Sequence, residues 1–226
     1  MDERERAILD AAAELLLGSG YAKLTISAVA GAVDLHRGLV HLRFRTKDEL
    51  VGAVVRDELD RYALRWREHM EADPRSGSVG SIARAMLGAL KGLPLASAIV
   101  AEDEAVFGRY LRRPGSYFQH PAEPRTREML DALRAAGVIR PGVDTRAMAF
   151  ITDTLTPAIR RSFLRDDGPA DPERPTWEEV LEALTDMLDR TLTPPDADLA
   201  AGRAVLFGAL EETRARFAVR DDRPDT

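Results

Sequence analysis

Thirteen residues, Leu35 to Lys47, hold four cationic side chains (Arg37, Arg43, Arg45 and Lys47), two imidazoles (His36 and His41) and no carboxylate. The chain around them is acidic, with 38 Asp and Glu against 32 Lys and Arg and a formal net charge of -6. Cations gathered without counter-charges form either a solvated helix face or a surface that meets phosphates. The neighbouring residues decide between the two.

Other chemistry has no pattern to stand on. His36, His41, His69 and His120 lack the i, i+4 spacing of a helical zinc pair. The chain contains no Gly-rich phosphate loop ending in Gly-Lys-Ser or Gly-Lys-Thr and no Gly-x-Ser-x-Gly elbow. Its carboxylate runs, Glu102-Asp103-Glu104, Asp166-Asp167 and Glu178-Glu179, read as solvated faces, loops and helix starts. No catalytic residue, metal ligand or cofactor is assigned, and an all-α enzyme is the weakest of the three functional readings.

The elements that must position the basic island are short helices. Ile26, Val29, Ala30 and Val33 fall at i, i+3, i+4 and i+7 behind Thr25, a fitting N-cap. Asp34 tolerates a left-handed backbone, so the chain can turn there. A second helix is predicted from Leu35 or His36, with Leu35, Leu39 and Leu42 as its packing stripe, widened by Val40. Arg37, His41 and Arg43 then project outward, and Gly38 removes a side chain where the helix approaches something closely. Thr46 and Glu49 make a capping box that opens a third helix. Two short helices around a tight turn, the second basic outside, are the helix-turn-helix that sets a recognition helix in the DNA major groove.

The ordered residues sharpen that expectation. Ile8-Leu9-Asp10-Ala11-Ala12, Gly20-Tyr21, Thr25-Ile26-Ser27-Ala28-Val29-Ala30, Gly38, Phe44 and Thr46-Lys47-Asp48-Glu49-Leu50 resemble the N-terminal domain of the TetR family of bacterial transcriptional regulators. The resemblance covers roughly the first sixty residues, about a small domain. Asp34 stands where the family usually has its turn glycine, and Leu39, His41 and Leu42 replace the common Thr and aromatic pair. Arg43 and Arg45 differ from the usual His and Pro. The resemblance implies phosphate contacts by Thr25 and Lys47, at helix N-termini that favour anions. Arg37, His41 and His36 are then the candidates for base edges and Arg43 and Arg45 for phosphates, with Gly38 at the close approach.

The rest of the chain reads as helices. A first helix, near Arg4 to Leu17, buries Ile8, Leu9, Ala12, Leu15 and Leu16, with Gly18 and Gly20 after it. The helix opened by Thr46 continues to about Trp66 as a link between domains, followed by a loop over 72–81. Further helices are predicted around Ile82 to Leu90, from Leu95 to Tyr110 and from Pro124 to Ala136. Asp144 caps the next, which carries Ala147, Phe150, Ile151, Leu155, Ile159 and Phe163 and contains Pro157. A second capping box, Thr176 with Glu179, starts a helix through Leu192, and a last one runs through Leu199, Leu206, Leu210, Thr213 and Phe217. No alternating strand pattern occurs, so the expected fold is all-α. A three-helix DNA-binding domain over 1–62 precedes a larger effector-binding and dimerisation domain over 63–226.

With 226 residues and no cysteine, the chain can bury a substantial core and has no disulfide framework. A charged N-terminus unlike a secretory signal, and no apolar run of the ~20 residues a membrane span needs, predict a soluble cytoplasmic protein. Net acidity does not oppose DNA binding, because remote carboxylates are screened beyond roughly 8 Å at physiological salt.

The resemblance further implies a homodimer through the C-terminal domain and a small effector held within it. The dimer face is placed on Asp144 to Leu164 and Thr176 to Leu192, whose stripes would equally serve as intramolecular core. Met86, Leu90, Phe107, Tyr110, Tyr117, Phe118, Met148 and Phe150 are the candidate lining of an apolar cavity, with plain core as the competing reading. The expected protein is a transcriptional regulator, a repressor released from its double-stranded operator by an apolar or amphipathic effector. The rival is a helical ligand-binding or interaction module whose helix-turn-helix has degenerated.

Overall fold

A computed structural model describes residues 2–119, 126–164 and 173–220. His120 and most of the predicted Asp166 to Pro175 loop lie outside the described residues, as do the side chains of Phe163, Thr213 and Phe217. The helices are α1 (Glu3–Lys23), α2 (Ile26–Ala32), α3 (Arg37–Arg43), α4 (Lys47–Ala72), α5 (Val79–Ala89), α6 (Pro94–Val100), α7 (Glu104–Phe107), α8 (Thr126–Ala135), α9 (Thr145–Leu164), α10 (Trp177–Leu192) and α11 (Leu199–Arg220). Two short 3-10 turns, Gly108–Arg112 and Tyr117–Gln119, complete the set, and no strand occurs among the described residues. The fold is all-α. None of the described helices is long and apolar enough to cross a membrane.

The chain forms two compact units, Met1–Arg61 with Leu93–Pro121, and Tyr62–Gly92 with Ala122–Thr226. The first therefore contains a segment that the sequence groups with the C-terminal domain.

In the first unit α1 buries Ile8, Leu9, Ala12 and Leu16, and its first turn is capped by Asp2, which accepts the Glu5 N–H at 2.7 Å. The helical run passes the expected end at Leu17 and breaks its geometry at Gly20, whose φ is 73°. A Cβ there would sit 2.7 Å from the Ala105 carbonyl oxygen, so only glycine lets α7 approach α1 this closely. The single helix predicted from Leu95 to Tyr110 is broken in two. Glu102 takes a left-handed φ of 49°, and Asp103 accepts the Ala105 N–H at 2.8 Å, recapping the chain as α7. Leu93 offers α6 no side-chain cap; the Glu58 carboxylate from α4 accepts the Ala96 N–H instead, at 3.2 Å.

The second unit is built on a core that includes Met70, Ile82, Leu130, Leu133, Ile139, Leu188 and Leu206. Gly80 permits α5 to meet α10, since a Cβ would lie 2.5 Å from the Thr185 carbonyl oxygen. The buried Asp189 carboxylate accepts the Gly80 N–H at 2.7 Å and the Ser78 and Thr193 hydroxyls at 3.2 Å, satisfying a helix start from outside the helix. Asp144 caps α9 through the Arg146 and Ala147 N–H groups, and Thr176 with Glu179 forms the expected capping box of α10. The apolar residues named for α9 are turned outward in large part: Ile159 is half-buried, whereas Ala147, Phe150, Ile151 and Leu155 are exposed, and the buried Ala149 lies outside that set.

Candidate DNA-binding surface

Thr25 caps α2, its Oγ1 accepting the Ala28 N–H at 3.1 Å. Val29 and Ala30 fix α2 to the core of the first unit. Asp34 adopts a φ of 52°, and the turn closes with Leu35 N–H donating to the Ala30 carbonyl at 2.9 Å. His36 then caps α3: its Nδ1 accepts the Gly38 N–H at 3.2 Å. A Cβ on Gly38 would lie 3.2 Å from that same nitrogen, so the glycine makes room for the imidazole cap.

The packing stripe of α3 differs from the expected one. Val40 and Phe44 are buried and Leu35 is half-buried, whereas Leu39 is 48% and Leu42 82% exposed. The two outer leucines stand on the surface with Arg37, His41 and Arg43. Apolar side chains at helical spacing carry the signature of a core, so the pattern alone does not mark these two leucines as surface residues.

The basic residues differ in how freely they can meet an anion. Arg37 is exposed, and no described residue partners its guanidinium. The guanidinium of Arg43 forks between Glu5, at 2.8 Å, and Asp2. The Arg45 side chain is exposed while its N–H donates to Glu49 Oε2 at 2.7 Å. The reciprocal arm of the predicted box thus reaches one residue upstream of Thr46, whose Oγ1 accepts the Glu49 N–H at 3.1 Å. Lys47 lies with Nζ 4.0 Å from the centroid of the Tyr21 ring and donates to the Ala22 carbonyl at 3.4 Å. Burial, and then the nearby Arg109 charge, hold the Lys47 ammonium below its ordinary range, against the pull of Asp48.

The two histidines of the island are held in opposite senses. His36 Nδ1 accepts, which in the neutral ring leaves the Nε2 proton free to donate. His41 Nδ1 lies 3.3 Å from the Phe44 carbonyl, an acceptor only, so Nδ1 donates there and Nε2 is left to accept. In the neutral rings the two Nε2 atoms therefore present one donor and one acceptor.

The eight residues named for an apolar cavity separate into groups. Phe107, Tyr110, Tyr117 and Phe118 pack edge to face and tilted on one another within the first unit, with ring centroids 4.9 to 6.5 Å apart. Burial pushes the Tyr110 phenol up to about 12. In the second unit Leu90 is buried, Met86 and Met148 pack against the core, and Phe150 is 74% exposed. A cavity of about 430 Å³ in the second unit has a different lining that mixes charged with apolar side chains, among them Arg75, Arg140, Asp189, Pro194 and Leu199.

A seven-residue helix on a buried brace, a left-handed turn, and a second seven-residue helix with a cationic outer face define a helix-turn-helix nucleic-acid-binding module. Residues 8–54 match the profile of bacterial regulatory proteins, tetR family, and this module is a TetR-family DNA-binding domain. Solved structures of similar fold include a Rhodococcus sp. protein described as a TetR-family transcriptional regulator, at 20% identity and a TM-score of 0.63, covering 85% of this chain and 100% of that one. NalD, the secondary repressor of the MexAB-OprM multidrug efflux pump in Pseudomonas aeruginosa, matches at 21% identity and 0.56, over 84% and 97% of the two chains. The transcriptional regulator FadR from Bacillus subtilis, solved with stearoyl-CoA, matches at 15% and 0.53, over 81% and 94%. These likenesses extend the shared fold into the C-terminal helices. No curated protein matches this chain in sequence.

Proposed function

We propose that the protein is a cytoplasmic, homodimeric transcriptional repressor that binds a partly palindromic operator and is released by a small apolar or amphipathic effector. The observation that carries the DNA-binding part is the unpartnered, exposed Arg37 at the start of α3, on a module matched to a DNA-binding family. An arginine with a free fork suits a bidentate contact to guanine O6 and N7. His36 and His41 supply a donor and an acceptor for neighbouring base edges, and Leu42 offers apolar surface of the kind that thymine methyl groups fill. Thr25 and Lys47, with Arg45, serve the phosphates, and Arg43 joins them once it exchanges Asp2 and Glu5 for the backbone.

Release by an effector rests on analogy with relatives of the same fold, one of which was solved with an amphipathic acyl thioester. The proposed functional division lies near residue 62, with effector binding and dimerisation in 63–226, although Leu93–Pro121 packs in the same compact unit as the DNA-binding module. An effector that favours the non-binding conformation by ~5 kcal/mol moves the population almost completely. The rival reading, a module that no longer reads DNA, is favoured by one observation, the pairing of Arg43 with Glu5 and Asp2. Selection of bound fragments from a genomic DNA library, followed by salt-titrated gel shifts, separates the two. Recovery of one recurrent sequence bound in a salt-sensitive complex supports the repressor; recovery of none supports the rival.

A further inference from the structure

We infer that Arg109, far from the helix-turn-helix in sequence, is a further phosphate-contacting residue that extends the DNA-binding surface beside Lys47. The inference rests on the DNA-binding reading above. Arg109 lies on the 3-10 turn Gly108–Arg112, in the segment that belongs to the same compact unit as the helix-turn-helix. That turn is anchored by Tyr110 and Leu111, both buried, and by Phe107, which is fully buried; Tyr110 packs on Tyr21 at 5.4 Å between ring centroids. The side chain of Arg109 is exposed, with its guanidinium 5.7 Å from the centroid of the Tyr21 ring.

Tyr21 thus serves two cations, since Lys47 Nζ lies 4.0 Å from the same centroid. The nearby carboxylates are otherwise engaged. Asp48 accepts the Tyr21 hydroxyl and pairs with Arg113, and Glu104 pairs with Arg112 at 2.8 Å. No ion pair to Arg109 occurs among the described residues. The Arg109 charge depresses the Lys47 ammonium, second only to burial, so the two cations held against the Tyr21 ring repel one another. A phosphate that meets both cations offsets that repulsion through charge-assisted hydrogen bonds. Because the turn is tied to α1 through the Gly20 and Ala105 approach, Arg109 is presented on the scaffold that also carries Thr25 and Lys47.

The test measures binding of the full-length protein to a specific and to a random duplex across a salt series, for the unaltered chain, Arg109→Gln and Arg109→Lys. One phosphate contact contributes about 0.9 to the slope of log affinity against log salt. Arg109→Gln should lower that slope by about this amount on both duplexes, which is roughly an eightfold loss at 0.1 M salt if the contact is worth nothing at 1 M. Arg109→Lys should restore the slope. An unchanged slope in Arg109→Gln overturns the inference while leaving the DNA-binding reading intact. So does an affinity loss with unchanged slope, which marks Arg109 as a brace for Tyr21. Failure of the unaltered protein to bind any duplex in a salt-dependent way overturns both.

Discussion

Arg37 and Lys47 differ in what surrounds them, and the difference sets what each can contribute. Arg37 has no protein partner among the described residues and keeps its full fork for a base pair, whereas Lys47 is committed to Tyr21 and the Ala22 carbonyl and offers a point charge. Arg37→Ala should therefore cost about 1 to 3 kcal/mol on the operator and relax one base position, while Lys47→Ala weakens all duplexes alike. Competition binding with single-position operator variants checks this, and equal losses on specific and random DNA from both variants would refute it. Leu42 allows a purely chemical test. Replacing thymine by deoxyuridine in the operator removes only methyl groups, and one such replacement should weaken the unaltered protein severalfold yet leave Leu42→Ala unaffected. Equal sensitivity of the two proteins would show that the leucine does not meet a methyl group.

At the scale of helices and turns, local chemistry was legible and tertiary choice was not. Thr25, Asp144 and the Thr176 and Glu179 box cap helices as expected, because a cap is settled within four residues. The outward turn of Arg37, His41 and Arg43 was legible too, but the packing stripe of α3 was not, because two apolar stripes run along this short helix and its flanks, Leu35 with Leu39 and Leu42, and Val40 with Phe44. Only the neighbours that bury Val40 choose between them. The break of the predicted 95–110 helix likewise depends on the approach of Ala105 to Gly20, which no local pattern announces. The group on α4 that caps the start of that segment offers a titratable test. Burial raises the Glu58 carboxyl above its ordinary 4.5, against the hydrogen bond from Ala96 and the charge of Arg61. A raised folded-state value means that the folded chain binds the proton more tightly than the unfolded chain. The stabilisation is complete below 4.5 and is lost as pH rises through the folded value. Glu58→Gln, which keeps an acceptor for Ala96 without the charge, should thus gain more stability relative to the parent at pH 7 than at pH 4. Urea unfolding at both pH values measures the difference, and equal effects would remove the role given to burial.

For the whole molecule the open question is what covers the apolar surface of the C-terminal helices. Phe150 at 74%, Ile151 at 44% and Leu155 at 42% exposure stand on α9, and Met187 at 53% on α10, the two helices on which the dimer face was placed. Burying such side chains is worth about 25 cal/mol per Å² of apolar surface, a gain that a lone chain forgoes. A two-fold interface would use the same patch on both copies and would pair two recognition helices, giving the length of sequence that one α3 cannot read. A charge introduced there appears twice across the symmetry axis, so Phe150→Asp with Leu155→Asp should dissociate the dimer while leaving the helical content unchanged. Sedimentation equilibrium should then fall from twice 24.9 kDa to 24.9 kDa. Because the second half-site is bound intramolecularly in the dimer, affinity for a two-site operator should drop by about 10²- to 10⁴-fold, while affinity for a single half-site stays the same. A parent chain that sediments as a monomer, or a doubly substituted chain that remains dimeric, would remove this face from the interface.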